Sequence, residues 1–177
     1  MRIVGLMGVK KNSSLPKKGY RDFGGKPMFQ WNLEKGLKLD EMYVTSDYDF
    51  VLREAEKLGA KTIKREDPYL MECPNIIYYK YCMPFMGNPD AFIAIQVNSP
   101  TVNFKLIEIT KKLLEIGVQE IITIFPDKEI YGSIWAMTRE RLENYQDPYN
   151  PSAEVLIIDP SIDIHSKSDL FEAIKQL

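Results

Sequence analysis

The sequence predicts a three-layer α/β sandwich built on a mainly parallel mixed sheet. Three observations carry that prediction. Short apolar runs alternate with segments of helical spacing along the whole chain. The run at 90–96, with Ala-Phe-Ile-Ala-Ile inside it, is apolar on both faces, as a central parallel strand must be. The chain also opens with an apolar strand, a basic loop bearing glycine and serine, and then a helix, the layout of a phosphate-binding edge of such a sheet.

Taken in order, residues 3–7 (Ile-Val-Gly-Leu-Met) form the first strand. The loop 8–26 that follows is about 19 residues, long enough to ask for a functional reason. It carries Lys10, Lys11, Lys17, Lys18, Arg21 and Lys26, with Arg2 just before it. Ser13, Ser14, Gly24 and Gly25 offer donors and close backbone approach. Pro27 suits the first turn of a helix running to 39. Residues 42–45 are a second strand, and Ser46 or Asp47 caps a helix with Phe50, Val51, Ala55 and Leu58 on its apolar face, ended by Gly59. Residues 61–63 are a short third strand, and Pro74 opens a helix carrying Ile76, Ile77, Tyr78 and Tyr81.

After the central strand, Asn103 caps a helix with Leu106, Ile107, Thr110, Leu113 and Leu114, closed by Gly117. Residues 120–125 and 133–137 are further strands and 155–158 is extended. Ser166 caps a last helix with Leu170, Phe171, Ile174 and Leu177. The chain has 177 residues, 45% of them hydrophobic, which predicts one domain over 1–177.

A net charge of -2 argues against general nucleic-acid binding. No run is long enough for a membrane span, and the first residues lack the pattern of a leader. Cys73 and Cys82 stand without metal-type spacing, which predicts a reducing, cytoplasmic setting.

Candidate chemistry lies at four places. The basic loop reads as a phosphate site, against the alternative of a solvated charged loop. Arg65 would bind phosphate or pair with Glu66 or Asp67. Gln96 and Ser99, at the carboxyl end of the central strand, stand where ligands bind in open α/β sheets, or else cap a loop. Asp163 and His165, two apart in an extended segment, point to one face as metal ligands would. Magnesium prefers oxygen, and imidazole suits softer ions. His165 alternatively serves as a base or a hydrogen-bonding group.

These residues together resemble the CMP-N-acylneuraminate synthetases, the cytidylyltransferases that activate sialic and related nonulosonic acids. Leu15-Pro16-Lys17-Lys18 followed by Gly24-Gly25-Lys26-Pro27 is similar to the family's Ile-Pro-Arg-Lys-Asn…Gly-Lys-Pro. Val44-Thr45-Ser46-Asp47 is similar to its Val-Ser-Thr-Asp, and Ile63-Lys64-Arg65 to its Phe-Leu-Arg. Gln96-Val97-Asn98-Ser99-Pro100 resembles Gln-Pro-Thr-Ser-Pro, and Ser161-Ile162-Asp163-Ile164-His165 resembles Ser-Ile-Asp-Ile-Asp.

The resemblance implies a nucleotide-diphospho-sugar transferase (glycosyltransferase A-like) fold. It implies transfer of CMP from CTP to a sugar acid of the sialic or legionaminic type, with magnesium, or manganese in its place, and release of pyrophosphate. Gly8, Lys10, Lys11, Asn12, Ser13, Lys18, Lys26 and Arg65 would hold the nucleotide, with Lys18, Arg65, Gln96 and Asp163 as catalytic candidates. Gln96 and Ser99 would meet the acceptor, Asp163 and His165 the metal. A homodimer is among the expectations.

Four departures stand out. The family's loop begins Ala-Arg-Gly-Gly-Ser-Lys, whereas here Lys10 and Lys11 supply charge without an arginine's bidentate fork. Gly19 replaces an asparagine, and His165 replaces a carboxylate. Residues 126–132 are all that separates Phe125 from Ser133, where the family carries a long insertion that shapes the acceptor pocket and the dimer. Two other readings therefore accompany the first: a related nucleotidyltransferase using another nucleotide or a sugar phosphate, and a nucleotide-binding homologue without turnover.

Overall fold

The computed structural model describes every residue except Ser14, Pro16 and 127–129, together with the side chains of Ile130 and Tyr131. Strand β1 (Ile3–Val9) leads into the basic loop, which contains a 3-10 turn at Lys18–Tyr20 and a two-residue hairpin of β2 (Asp22–Phe23) and β3 (Lys26–Pro27). Helix α1 (Met28–Gly36), β4 (Met42–Ser46), α2 (Asp49–Lys57) and β5 (Lys61–Lys64) follow. Then come α3 (Tyr69–Glu72), α4 (Asn75–Cys82), β6 (Ala91–Ile95) and α5 (Phe104–Glu115). The chain finishes with β7 (Glu120–Ile124), β8 (Ile130–Thr138), α6 (Arg139–Glu143), β9 (Val155–Ile158) and α7 (Lys167–Ile174).

Seven strands form one sheet in the order β5-β4-β1-β6-β8-β7-β9. Only β8 runs against the rest, because the short link from β7 leaves room for a hairpin and not for a crossover. The alternation of each central strand serves two cores. Ile3, Met7 and Val9 of β1 pack with α1, α2 and α5, while Val4 and Leu6 face α3, α4 and α6. Ala91, Ile93 and Ile95 of β6 divide from Phe92 and Ala94 in the same way. This is the three-layer, mainly parallel arrangement expected from the sequence.

Several local expectations are corrected. Residues 8 and 9 belong to β1, so the loop starts later. Pro27 is the residue before α1, with ψ of 135°, and not its first helical position. Neither Ser46 nor Asp47 caps α2: Ser46 Oγ accepts from the Tyr48 N–H, and Asp47 bonds to the basic loop. Helices α3 and α6 were not foreseen, being too short to show a period. Asn103 does cap α5 through the Lys105 N–H at 2.9 Å, and Ser166 with Asp169 forms a capping box on α7. The apolar stripe of α7 is only partly covered, however, with Leu170 half-buried. Phe171, Ile174 and Leu177 are exposed, and only Ala173 of that helix is buried.

A third, smaller core of Leu15, Phe23, Met28, Ile164 and Ala173 lies outside the sheet. It fastens the basic loop to the segment that precedes α7, bringing together two parts of the chain that lie far apart in sequence.

Candidate active site

The winding of the sheet reverses at β1. The chain steps outward to β4 and β5, then returns to place β6 on the other side of β1. In an open α/β sheet such a reversal leaves a crevice beyond the carboxyl ends of the strands. The first residues past those ends are Lys10, Asp47, Arg65 and Gln96. A cleft of about 490 Å³ opens there, lined by Lys10, Asn12, Ser13 and Lys18 of the basic loop, by Gln96 and Asn98, and by Arg65 and Tyr78.

Arg65 is nearly fully buried yet has no carboxylate partner among the described residues. Its guanidinium spans the strand ends, donating to the carbonyls of Leu70 (3.1 Å), Val9 (3.2 Å) and Thr45 (3.3 Å). The expected pairing with Glu66 or Asp67 is therefore not what holds it. Its Nε has no partner, and its charge lies 5.2 Å from the Tyr78 ring centre. A buried cation compensated only by carbonyl dipoles and one aromatic face retains attraction for an incoming anion.

Lys18 is also buried, and burial lowers its pKa against the opposing pull of Asp163 and Asp169. Its Nζ donates to the Ile164 carbonyl at 2.7 Å, linking the basic loop to the segment that carries Asp163. Lys17 sits just before it in the left-handed region at φ 59°. Gly19 follows, and a Cβ at that position would stand 2.7 Å from Val9 Cγ1. Close packing on β1 thus leaves little room for a side chain at this position.

Asp47 supplies a second anchor by accepting the Lys11 N–H at 2.8 Å. Gly8 likewise faces a wall of the cleft, where an added Cβ would lie 3.1 Å from the Tyr78 hydroxyl. Burial raises the Tyr78 pKa to about 12, so this hydroxyl stays protonated. Gln96 donates to the Tyr79 hydroxyl at 3.3 Å.

Asp163 stands at the cleft margin with its side chain 19% exposed. One of its oxygens accepts from the Asn98 amide, and the other lies 2.6 Å from His165 Nε2. Ile164 between them is buried, so the predicted shared face of Asp163 and His165 is present, although the segment is not a strand. His165 is largely solvent-exposed.

The cleft thus gathers Gly8, Lys10, Asn12, Ser13, Lys18, Arg65 and Gln96, with Asp163 adjoining through Asn98. Lys11, Lys26, Ser99 and His165, also predicted, do not line it. Lys11 contributes its backbone to Asp47, and its ammonium lies 5.2 Å from the Tyr48 ring. Lys26 is held by Glu34 at 2.5 Å and over the Trp31 ring at 4.0 Å. Ser99 turns its side chain into the protein, where its hydroxyl has no partner, and its carbonyl accepts from Asn32. Ser14 and Pro16 of the predicted loop lie outside the described residues.

Residues that sequence reasoning did not single out also face the cleft: Asn98, Tyr78, Glu72 and Asn75. Asn98 stands two past Gln96 in the segment similar to Gln-Pro-Thr-Ser-Pro, where a polar side chain could equally close a turn. The others come from α3 and α4, whose placement over the strand ends has no local signature.

Neither a family model nor a curated protein matches the chain. Solved structures do share its fold. A CMP:2-keto-3-deoxy-manno-octonic acid synthetase complexed with CTP superposes with a TM-score of 0.75 and 16% identity, covering 99% of this chain and 98% of that chain. A cytidylyltransferase from Leptospira borgpetersenii gives 0.68 and 16%, over 99% and 94%. Rv0371c from Mycobacterium tuberculosis, in complex with manganese, gives 0.69 and 13%, over 100% of both chains. The nucleotide-diphospho-sugar transferase type of fold is therefore the fold of this chain.

Proposed function

We propose that the cleft binds CTP and that the protein is a cytidylyltransferase, transferring CMP to a nonulosonic sugar acid and releasing pyrophosphate. The observation that carries this reading is the placement of Lys18 and Arg65 in one cleft with Gln96 and the Asn98–Asp163 pair, at the reversal of strand order. Two of the similar structures are, by name, a CTP-bound sugar-acid synthetase and a cytidylyltransferase, which supports a cytidine nucleotide as substrate.

Among the described residues no cluster of three metal-ligating side chains stands at the cleft, so a divalent ion would rest on Asp163 and the substrate phosphates. Magnesium is commonly held by one or two carboxylates plus substrate phosphates, and Asp163 offers one carboxylate at the cleft margin. His165, touching the same carboxylate, would admit manganese, the ion bound in one similar structure. When bound, the ion supplies charge neutralisation across the phosphate oxygens.

The chain's own residues do the rest. Lys10, Lys18 and the amides around Asn12 and Ser13 would take the β- and γ-phosphates, whose negative charge grows as pyrophosphate leaves. Arg65, a buried cation that lines the cleft with no carboxylate partner among the described residues, would draw the α- or β-phosphate toward that end of it. Gln96 would orient the acceptor, whose anomeric hydroxyl attacks the α-phosphorus in line. The new O–P bond forms as the bond to pyrophosphate breaks, and the hydroxyl proton is released to solvent.

The test is to incubate the protein with each nucleoside triphosphate, magnesium or manganese, and a panel of sugar acids and sugar phosphates. Pyrophosphate release with CTP and a sugar acid is the expected result. Release only with another nucleotide or a sugar phosphate would favour the related-transferase reading. Binding without release on any acceptor would leave a nucleotide-binding protein.

A further inference from the structure

We propose that Asn32 and Lys35, on one turn of α1, are positioning residues that hold the loop 96–100 so that Gln96 and Asn98 face the cleft and Asn98 presents Asp163. The inference rests on the nucleotide-binding reading above, and it adds a device outside the cleft to which no motif points.

Asn32 is wholly buried in a helix, a position where a polar side chain must be fully bonded to be tolerated. Both of its amide hydrogens are used, on the carbonyls of Gln96 and Ser99, each at 2.8 Å. Its oxygen accepts from Lys35 Nζ at 3.1 Å, and the same ammonium donates to the Pro100 carbonyl at 2.6 Å. One helical turn thus takes three carbonyls of a single loop.

The rest of the loop is tied the other way. The Gln96 N–H donates to the Ser133 carbonyl of β8 at 2.8 Å, and the Asn98 carbonyl accepts the Ile164 N–H at 2.9 Å. With its backbone fixed from both sides, the loop turns the side chains of Gln96, Val97 and Asn98 into the cleft. Asn98 then holds the Asp163 carboxylate. A physical chain therefore runs from α1 through the loop to the proposed metal ligand.

Lys35→Met removes the ammonium and keeps the stem, and Lys38→Met is the control. Lys38 belongs to the same segment and loses the same charge, but it lies over the Phe104 ring and not on the loop. Two readouts are needed. Amide hydrogen exchange at Gln96, Val102 and Ile164, whose N–H groups bond to or from this loop, is expected to accelerate in Lys35→Met and to stay at the wild-type rate in Lys38→Met. CTP affinity with magnesium is expected to fall about tenfold in Lys35→Met, with the gain between EDTA and magnesium shrinking in the same variant.

Wild-type exchange and wild-type affinity in Lys35→Met would overturn the proposal. So would a loss of affinity with no change in magnesium gain, because general loosening would not act through Asp163. If Lys35→Met does not fold, Lys35→Gln replaces it with the same expectations. If even the wild-type protein binds no CTP, the functional reading fails, while the exchange arm still decides whether the clamp exists.

Discussion

The side-chain amide of Asn98 donates to the carboxylate of Asp163, and the Asn98 carbonyl accepts the next amide, that of Ile164. The end of the central strand and the segment before the last helix are thus joined at a single residue. That joint decides where the carboxylate proposed to meet the metal can stand.

Replacing Asn98 with alanine should therefore weaken magnesium-dependent CTP binding more than metal-free binding. A loss of about tenfold is expected, the worth of one charge-assisted contact. Isothermal titration in magnesium and in EDTA measures both. Equal losses in the two buffers would show that Asn98 does not act through Asp163.

Arg65→Lys should fail at two levels. A lysine cannot reach the carbonyls of Leu70, Val9 and Thr45 together, so about 2 kcal/mol of stability should be lost in urea unfolding. The delocalised guanidinium that lines the cleft also disappears, so CTP affinity should drop even at temperatures where the variant is folded. Retained affinity would place the phosphate elsewhere.

Gly8 and Tyr78 should couple. Gly8→Ala puts a Cβ 3.1 Å from the Tyr78 hydroxyl and should cost about 1 kcal/mol of stability. Tyr78→Phe removes that hydroxyl, so the same substitution should cost less beside it. A double-mutant cycle by thermal unfolding gives the difference, and strict additivity would argue against the contact.

Glu120 provides a fold-only control. It is buried at the start of β7 and accepts from Trp135, Tyr145 and Arg141 at 3.0, 2.9 and 2.7 Å. Glu120→Gln should cost about 3 kcal/mol of stability while leaving CTP affinity near wild type below the melting point. Reduced affinity in the folded variant would contradict the separation of core and cleft.

Stability should also carry the signature of Lys35, whose pKa burial lowers from 10.5 to about 8 with Lys26 and Lys38 adding to the shift and Glu34 and Asp159 opposing it. Below pH 8 the group is protonated in both folded and unfolded chains and contributes no slope. Between about 8 and 10.5 the unfolded chain keeps a proton that the folded chain has released, so stability from this group rises with pH. Wild-type protein should accordingly gain on Lys35→Met across that window in denaturant unfolding. A constant difference would count against the shift.

Much of the fold was legible because its strands are short, doubly buried and separated by breakers. The 90–96 run and the Asn103 and Ser166 caps show this, since each depends on neighbours within a few residues. The antiparallel β8 and the brief α3 and α6 were not legible, because strand direction and single-turn helices are set by packing. At the cleft, Lys18, Arg65 and Gln96, with Asp163 adjoining, stand in segments that motif spacing marked. Ser99 and Lys26 were misplaced because a motif does not say which way a side chain turns. Asn32 gave no signal at all: an asparagine in a helix announces nothing until the carbonyls it serves are known.

The most direct test of the account is pyrophosphate release from CTP and magnesium with sialic-type sugar acids, comparing wild-type protein with Asp163→Ala. The account predicts release by the wild type that depends on both metal and acceptor, and loss of that release in the variant with its unfolding midpoint little changed. Full release by Asp163→Ala, or none by the wild type with any acid that leaves CTP bound, would contradict it.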